Sequence, residues 1–128
     1  LQTLSKAWGL AGIRLGLGFA SAEIIKVLNK IKPPYNISIL SQQVALEALG
    51  KEKQKNDWVR EIIAEREKLA GHLKALPQVL EVFPSDANFL LTRVTDAKGI
   101  YQKLVDKGVI VRDRSNVLLC QNCLRITV

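Results

Sequence analysis

The chain has 128 residues, of which 48% are hydrophobic and 24% are charged, and this composition is typical of a folded globular protein rather than a disordered one. No stretch reaches the roughly 18 consecutive apolar residues of a membrane span, and Cys120 and Cys123 are too close together to cross-link a domain, so we expect a reducing, cytoplasmic setting and no membrane partner. The formal net charge of +7 permits nucleic-acid binding, but the basic residues are scattered and not interleaved with aromatic ones, so we expect no nucleic-acid partner.

The two ends of the chain predict a piece of a longer protein. The sequence opens on Leu1, contains no methionine, and stops at Val128 within an apolar run that begins at Leu124. A complete translation product normally begins with Met, so we expect further residues outside this sequence.

The first twenty residues predict two strands that flank a glycine-bearing loop. A short apolar and polar stretch at residues 1–4 leads into the loop, and residues 14–19 then alternate apolar side chains with Gly16 and Gly18. Glycine weakens a strand, so we expect another backbone or a ligand to lie close to this one.

Apolar residues at helical spacing predict three helices in the middle of the chain. The predicted helices are residues 22–30 capped by Ser21, residues 38–49 ended by Gly50, and a long helix from Asn56 or Asp57 to about Leu76. Pro33 and Pro34 predict an extended link between the first two, because proline fixes φ and lacks an amide hydrogen. Residues 51–55 are expected to form a polar turn.

The last fifty residues predict four strands and one helix. The predicted strands are residues 80–83, 88–94, 109–112 and 123–128, and the helix is residues 97–106, capped by Thr95 or Asp96 and ended by Gly108. From residue 38 onward the order of elements predicts an α+β fold with helices on one face of a mainly antiparallel sheet.

Lys6 lies in the first loop, directly after Ser5 and eight residues before Arg14. An amine attacks a carbonyl only when it is neutral, so it needs burial or a nearby cation such as Arg14. Arginine also binds phosphate with two parallel hydrogen bonds, the Ser5 hydroxyl adds a donor, and Gly9 and Gly12 permit a close approach of the backbone. These residues predict a site for an aldehyde that carries a phosphate. The alternative is an exposed lysine and arginine that merely flank a loop.

The same loop resembles the Ser-Lys-x-x-x-Leu-Ala-Gly-x-Arg-x-Gly signature of fold-type I aminotransferases, and within them it is most similar to histidinol-phosphate aminotransferases. The signature positions are matched by Ser5, Lys6, Leu10, Ala11, Gly12, Arg14 and Gly16. The resemblance implies that Lys6 is the catalytic residue and forms a Schiff base with pyridoxal phosphate. It also implies that Ser5 and Arg14 bind the cofactor phosphate.

The resemblance extends over the whole chain and implies two domains. Residues 1–35 would be a remnant of the large α/β domain that binds the cofactor. Residues 36–128 would be the C-terminal small domain, including the helix that links the two. The stretches that carry this part of the resemblance are Pro33–Asn36, Ser85–Leu90, Gly108–Asp113 and Leu124–Val128.

Three residues of the second part are implied by the resemblance to bind substrate. Arg125 would hold the α-carboxylate of glutamate, Arg112 would join it on the distal carboxylate or the phosphate, and Asn88 would lie near the substrate. Both arginines lie in apolar strands, where a guanidinium without an anion is costly. The alternatives are an ion pair with a carboxylate such as Asp113, and a purely structural turn at Asn88.

The implied reaction exchanges an amino group between glutamate and imidazole-acetol phosphate, in histidine biosynthesis, with a homodimeric enzyme. A phosphothreonine-type decarboxylase, an aromatic aminotransferase and, in another class, a non-catalytic basic binding module remain alternatives. In the family, the loop that grips the cofactor phosphate and the aspartate at the ring nitrogen come from residues upstream of this stretch. That ring-nitrogen partner strengthens the electron sink, so we expect this chain by itself to be inactive.

Cys120-Gln121-Asn122-Cys123 is a lone C-x-x-C motif. A redox motif of this kind opens a helix, whereas this one leads into a predicted strand, and a zinc site requires two further ligands. The only histidine, His72, lies far away within a predicted helix. We therefore expect two ordinary cysteines and no metal site.

Overall fold

The computed structural model describes all 128 residues, which form two compact units, Leu1–Val59 and Arg60–Val128. The predicted division into residues 1–35 and 36–128 concerns the domains of a longer protein, and it stays a prediction. None of the helices is both long enough and apolar enough to cross a membrane.

The first unit contains two very short strands and two helices. Its elements are β1 (Gln2–Thr3), a 3-10 turn (Ala11–Ile13), β2 (Gly16–Leu17), α1 (Ala22–Ile31) and α2 (Ile39–Leu49). The two predicted strands are present but shorter than expected, and they pair antiparallel with Gln2 opposite Leu17. Ser21 is the N-cap of α1, as predicted, although its side chain makes no capping hydrogen bond.

The proline pair ends α1, but the predicted extended link is wrong. Residues 34–35 form a turn, and Tyr35 has a left-handed backbone with φ of 58°. Proline followed by a residue with positive φ is typical of a tight turn, because proline presets the φ of its first central position. The chain therefore reverses before α2, where the Ser38 hydroxyl accepts a hydrogen bond from the Ser41 amide at 3.1 Å.

The long helix α3 (Glu52–Lys74) begins four residues earlier than the earliest predicted cap, Asn56. The predicted polar turn at residues 51–55 is therefore wrong. Glutamate, lysine and glutamine are good helix formers, so the polar stretch Glu52–Lys55 extends the helix rather than interrupting it. Apolar periodicity alone could not detect this turn of helix, because it carries no apolar residue.

The second unit contains a four-stranded sheet and α4 (Ala97–Asp106). The strands are β3 (Val79–Val82), β4 (Phe89–Val94), β5 (Arg112–Asp113) and β6 (Cys123–Thr127). They lie in the order β3-β4-β6-β5, and every neighbouring pair is antiparallel. Helices combined with an antiparallel sheet confirm the predicted α+β class.

The predicted strand at residues 109–112 is shortened to Arg112–Asp113. The Val109 amide donates to the Leu104 carbonyl at 2.9 Å, so this amide serves the end of α4 rather than the sheet. Val111 is buried in the core. Gly108, with φ of 76°, makes the reversal between helix and strand, as predicted.

The core of the second unit lies between α4 and one face of the sheet. Val94, Ala97, Val111 and Leu124 form the buried cluster, and Ile100, Tyr101 and Leu104 of α4 pack against it. Because side chains alternate along a strand, the other face carries a different set. We call it the arginine face and define it by Phe83, Phe89, Arg93, Arg112 and Arg125.

Candidate functional site

The loop that contains Lys6 is fixed by a buried anchor. Leu4 is 4% exposed, its amide donates to the Leu15 carbonyl at 3.4 Å, and its own carbonyl accepts from the Leu10 amide at 3.0 Å. Lys6 then opens a tight turn, in which the Gly9 amide donates to the Lys6 carbonyl at 2.9 Å. Gly9 has φ of 66°, a backbone conformation that side chains disfavour, so the predicted glycine loop is present.

Ser5 and Arg14 lie at the same small cavity, although they are nine positions apart in the sequence. Thr3, Ser5, Arg14, Leu15 and Gly16 line this cavity, whose volume is about 140 Å³. The Thr3 and Ser5 hydroxyls are 2.8 Å apart, and the Ser5 amide donates to the Thr3 hydroxyl at 3.1 Å. Arg14 has a left-handed backbone with φ of 55°, and its Nη1 donates to the Ala11 carbonyl at 2.9 Å.

The donors around this cavity fit the phosphate of pyridoxal phosphate. A guanidinium has five N–H donors, and the Ala11 carbonyl accepts from Nη1, so Arg14 retains further donors for an anion. The Thr3 and Ser5 hydroxyls are hydrogen-bonded to each other, so one of the two O–H groups remains as a neutral donor beside it. A methyl group placed on Gly16 would lie 3.4 Å from the Gln2 carbonyl oxygen, which is an ordinary van der Waals contact, so the pairing of β2 with β1 does not itself require glycine there.

Lys6 follows Ser5 directly in the chain but does not line the cavity, and its side chain is exposed. The geometry brings Ser5 and Arg14 together, as predicted. Lys6 is the next residue after Ser5, and this position in the chain is what relates it to their cavity.

Thr3 is a lining residue that the sequence analysis missed. It lies two positions before Ser5, and side chains two apart on an extended segment point to the same side. This spacing was available as a signal, since both residues carry hydroxyls next to the signature lysine. The structure adds the observation that the two hydroxyls contact each other.

In the second unit, Arg125 lies in β6 between Leu91 of β4 and Arg112 of β5, which are its partners in register. Its guanidinium carbon lies 5.1 Å from the centre of the Phe89 ring, in a cation–π contact. The Nε atom of Arg125 is buried and has no hydrogen-bond partner. A half-buried guanidinium with a free donor can bind an anion, and the role of Arg125 in substrate binding stays a prediction.

Arg112 differs from the expectation of a buried arginine, because its side chain is exposed. The premise that burial forces it to hold an anion is therefore wrong, although its register places it on the arginine face beside Arg125. Asp113 is engaged by Ser115, whose hydroxyl and amide donate to Oδ1 at 2.6 and 2.8 Å. These two hydrogen bonds, the hydroxyl first, lower the pKa of the Asp113 carboxyl from its ordinary value.

Asn88 immediately precedes β4 and is half-buried. Its carbonyl accepts from the Val128 amide at 3.0 Å, so its backbone extends the ladder between β4 and β6. The turn before it is built by Ser85, whose hydroxyl donates to the Phe89 carbonyl at 2.7 Å and accepts from the Ala87 amide at 3.1 Å. The Asn88 side chain is thus not what makes the turn.

Cys120 and Cys123 are both free thiols. Cys123 is buried at the start of β6, and its amide donates to the Cys120 carbonyl at 3.0 Å. The motif therefore forms a turn that leads into a strand, as the sequence predicted. His72 is exposed in the last turn of α3.

The sequence matches the family described as aminotransferase class I and II over residues 1–128. It is 56% identical to a histidinol-phosphate aminotransferase of Cytophaga hutchinsonii and 57% identical to one of Parabacteroides distasonis. Each match covers 100% of this chain and 37% of the relative. The chain thus spans little more than a third of the length of these curated relatives.

Two solved structures illustrate the likeness of the fold. A histidinol-phosphate aminotransferase of Sinorhizobium meliloti, in complex with pyridoxal-5'-phosphate, superposes with a TM-score of 0.83 at 26% identity, over 98% of this chain and 35% of that one. An L-threonine-O-3-phosphate decarboxylase of Porphyromonas gingivalis gives a TM-score of 0.78, also at 26% identity, over 98% of this chain and 39% of that one. The fold alone therefore does not separate these two activities.

Proposed function

Since the chain belongs to the aminotransferase class I and II family, we propose that it is the C-terminal third of an aminotransferase that uses pyridoxal phosphate. The observation that carries this proposal is the cavity that Thr3, Ser5 and Arg14 line together, next in the chain to Lys6. We assign the activity to the longer protein, because the chain spans 37% of the relatives' length.

In this assignment Arg14 and Ser5 hold the cofactor phosphate, with Thr3 orienting the Ser5 hydroxyl through their 2.8 Å contact. Lys6 would hold the cofactor aldehyde through its amine until the incoming substrate amine takes its place. Pyridoxal phosphate bound there would supply an electron sink that makes the Cα–H bond of an amino acid breakable. The released Lys6 amine would then take the proton from the substrate Cα, in a general-base role.

Arg125 binds the α-carboxylate of the amino-group donor, and Arg112 assists on a second anionic group. Support for Arg125 comes from its buried Nε without a partner and from the Phe89 ring that orients its guanidinium plane. A planar guanidinium can form two parallel hydrogen bonds with a carboxylate. Asn88, at the entrance to β4, is proposed to contact the substrate, as the resemblance implies.

The substrates that we propose are glutamate or 2-oxoglutarate and histidinol phosphate or its keto counterpart, in histidine biosynthesis. The support is the 56–57% identity to relatives of that name, against 26% identity to the phosphothreonine-type decarboxylase. That decarboxylase is the second candidate, because its structure also superposes on 98% of this chain.

The two candidates are separated by incubating the full-length protein, with cofactor, with histidinol phosphate and 2-oxoglutarate or with L-threonine O-3-phosphate. We expect glutamate to form in the first mixture and no carbon dioxide to be released in the second. Release of carbon dioxide without glutamate formation would establish the decarboxylase instead. Lys6→Ala should abolish whichever reaction occurs, because both need the cofactor lysine.

We further propose that the full-length protein is a cytoplasmic homodimer. Many large apolar side chains of the first unit's two helices are exposed, which indicates that other polypeptide surfaces cover them. These residues are Ile24, Val27, Leu28, Ile31, Ile39, Leu40, Leu46 and Leu49. The free thiols agree with a reducing compartment. Light scattering on the full-length protein measures its mass directly, and a monomer at micromolar concentration would contradict the dimer.

A further inference from the structure

Arg93 is the one arginine of the arginine face that neither the predicted site nor the proposed reaction uses. It lies half-buried in β4, and its Nη2 donates to the Leu119 carbonyl at 3.4 Å. Its guanidinium carbon is 5.3 Å from the centre of the Phe83 ring. Its Nε is buried without a partner. Arg93 therefore repeats the environment of Arg125, with a backbone carbonyl in place of a substrate.

The loop that Arg93 contacts has an unfavourable backbone. Leu119 has φ of 65° and Asn122 has φ of 53°, although neither residue is glycine. Such conformations persist only where the surroundings fix them. Two neighbouring residues of β4 hold this loop by hydrogen bonds. The Val94 amide donates to the Asn122 carbonyl at 2.9 Å, and the Arg93 guanidinium donates to the Leu119 carbonyl.

This loop leads directly into the strand that carries Arg125. Cys123, the first residue of β6, is the register partner of Arg93, and Arg125 follows it by two positions on the same face. Arg93 and Arg125 are thus diagonal neighbours across two strands. On its other side, in β3, the register partner of Arg93 is Glu81. The register partner of Arg125 in β5 is Arg112. A change in the loop would shift the strand on which the Arg125 guanidinium is placed.

We propose that Arg93 is a positioning residue, which fixes the loop at Leu119–Asn122 and thereby the placement of Arg125 over Phe89. The inference rests on the proposed role of Arg125 in binding the substrate carboxylate. Arg93 itself touches neither substrate nor cofactor in this assignment. Its loss should therefore weaken the binding of carboxylate substrates and leave the proton-transfer step largely intact.

The test compares Arg93→Met, Arg93→Lys and Arg125→Lys in the full-length protein, with Lys103→Met as a control. Lys103 is exposed on α4, so its replacement removes one positive charge away from the arginine face. We expect R93M to raise the KM for glutamate about tenfold or more, while kcat changes by less than about threefold, because a displaced binding group mainly costs affinity. R93K should raise KM less, because an ammonium can donate to Leu119 but lacks the planar stack on Phe83.

The outcomes separate the inference from the function on which it rests. If R125K raises KM but R93M and R93K do not, Arg93 is not a positioning residue. If R125K leaves the KM for glutamate unchanged, the proposed role of Arg125 is wrong, and the role of Arg93 that rests on it falls with it. A purely structural role predicts that KM stays constant while active protein and melting temperature fall. If R93M does not fold, R93K alone tests the inference. In that case a KM of R93K equal to the KM of K103M overturns it.

Discussion

Arg14 shows how a single residue combines backbone and side-chain requirements. Its backbone is left-handed, with φ of 55°, and the residue lines the cavity together with Thr3 and Ser5. A left-handed non-glycine residue is uncommon, and such residues concentrate at functional sites. The sequence could predict Arg14 as a phosphate ligand, but it could not reveal the unusual backbone of the residue.

At this scale we predict that Arg14→Met weakens the binding of pyridoxal phosphate to the full-length protein by about tenfold or more, because a charge-assisted contact with the phosphate is lost. The measurement is an absorbance titration with cofactor. Pyridoxal without the phosphate is the matched control ligand, and its affinity should not change. Equal weakening of both ligands would show that Arg14 supports the loop and does not bind the phosphate.

At the scale of elements, the first turn of α4 depends on one carboxylate. Asp96 is the N-cap, and its Oδ1 accepts from the Gly99 amide at 2.9 Å. The start of α1 is a natural comparison, because Ser21 occupies the same position without a capping hydrogen bond. The residue types predicted both N-caps, but only the structure shows that Asp96 forms a capping hydrogen bond and Ser21 does not.

We therefore predict that Asp96→Ala lowers the free energy of unfolding by about 1 kcal/mol, whereas Ser21→Ala changes it by only a few tenths. Urea denaturation of the two variants, followed by circular dichroism, measures both values. Equal losses in the two variants would mean that the hydrogen bond of Asp96 does not stabilise α4.

The turn after β5 gives a pH-dependent prediction. Ser115 lowers the pKa of Asp113 from its ordinary value of 3.8, so the carboxylate form is favoured by folding. The resulting stability is present above the ordinary pKa and is lost as the pH falls through the lowered one. Ser115→Ala should return the pKa of Asp113 toward 3.8. Carboxyl carbon NMR across an acid titration measures it, and an unchanged midpoint would contradict the assignment.

Most elements with strong apolar patterns were predicted well from the sequence, the strand at residues 109–112 being the exception, and those with polar or proline-rich sequences were not. The alternation in β4 and the cap at Asp96 gave bounds that match the structure closely. The start of α3 was missed because its first turn is polar, and the turn at Tyr35 was missed because proline pairs suit both extended segments and tight turns. Helix propensity, more than periodicity, determines such stretches.

At the scale of the whole molecule, the residues proposed to bind the cofactor and those proposed to bind substrate belong to different units. The first unit contains Lys6 and the cavity lined by Thr3, Ser5 and Arg14, and the second contains the arginine face. The sequence could assign these roles through a signature and two arginine-bearing strands. It could not give the exposure of Lys6 and Arg112, because burial depends on which surfaces meet in the folded protein.

The central claim is that Lys6 is the lysine that holds the cofactor. The most direct measurement is reduction of the full-length protein with borohydride in the presence of one equivalent of pyridoxal phosphate, followed by peptide mass mapping. The chain offers many exposed lysines as internal controls, including Lys26 and Lys30 of α1. We predict that the label is confined to Lys6 and disappears in Lys6→Ala. A label spread over several lysines, or undiminished in Lys6→Ala, would contradict the account.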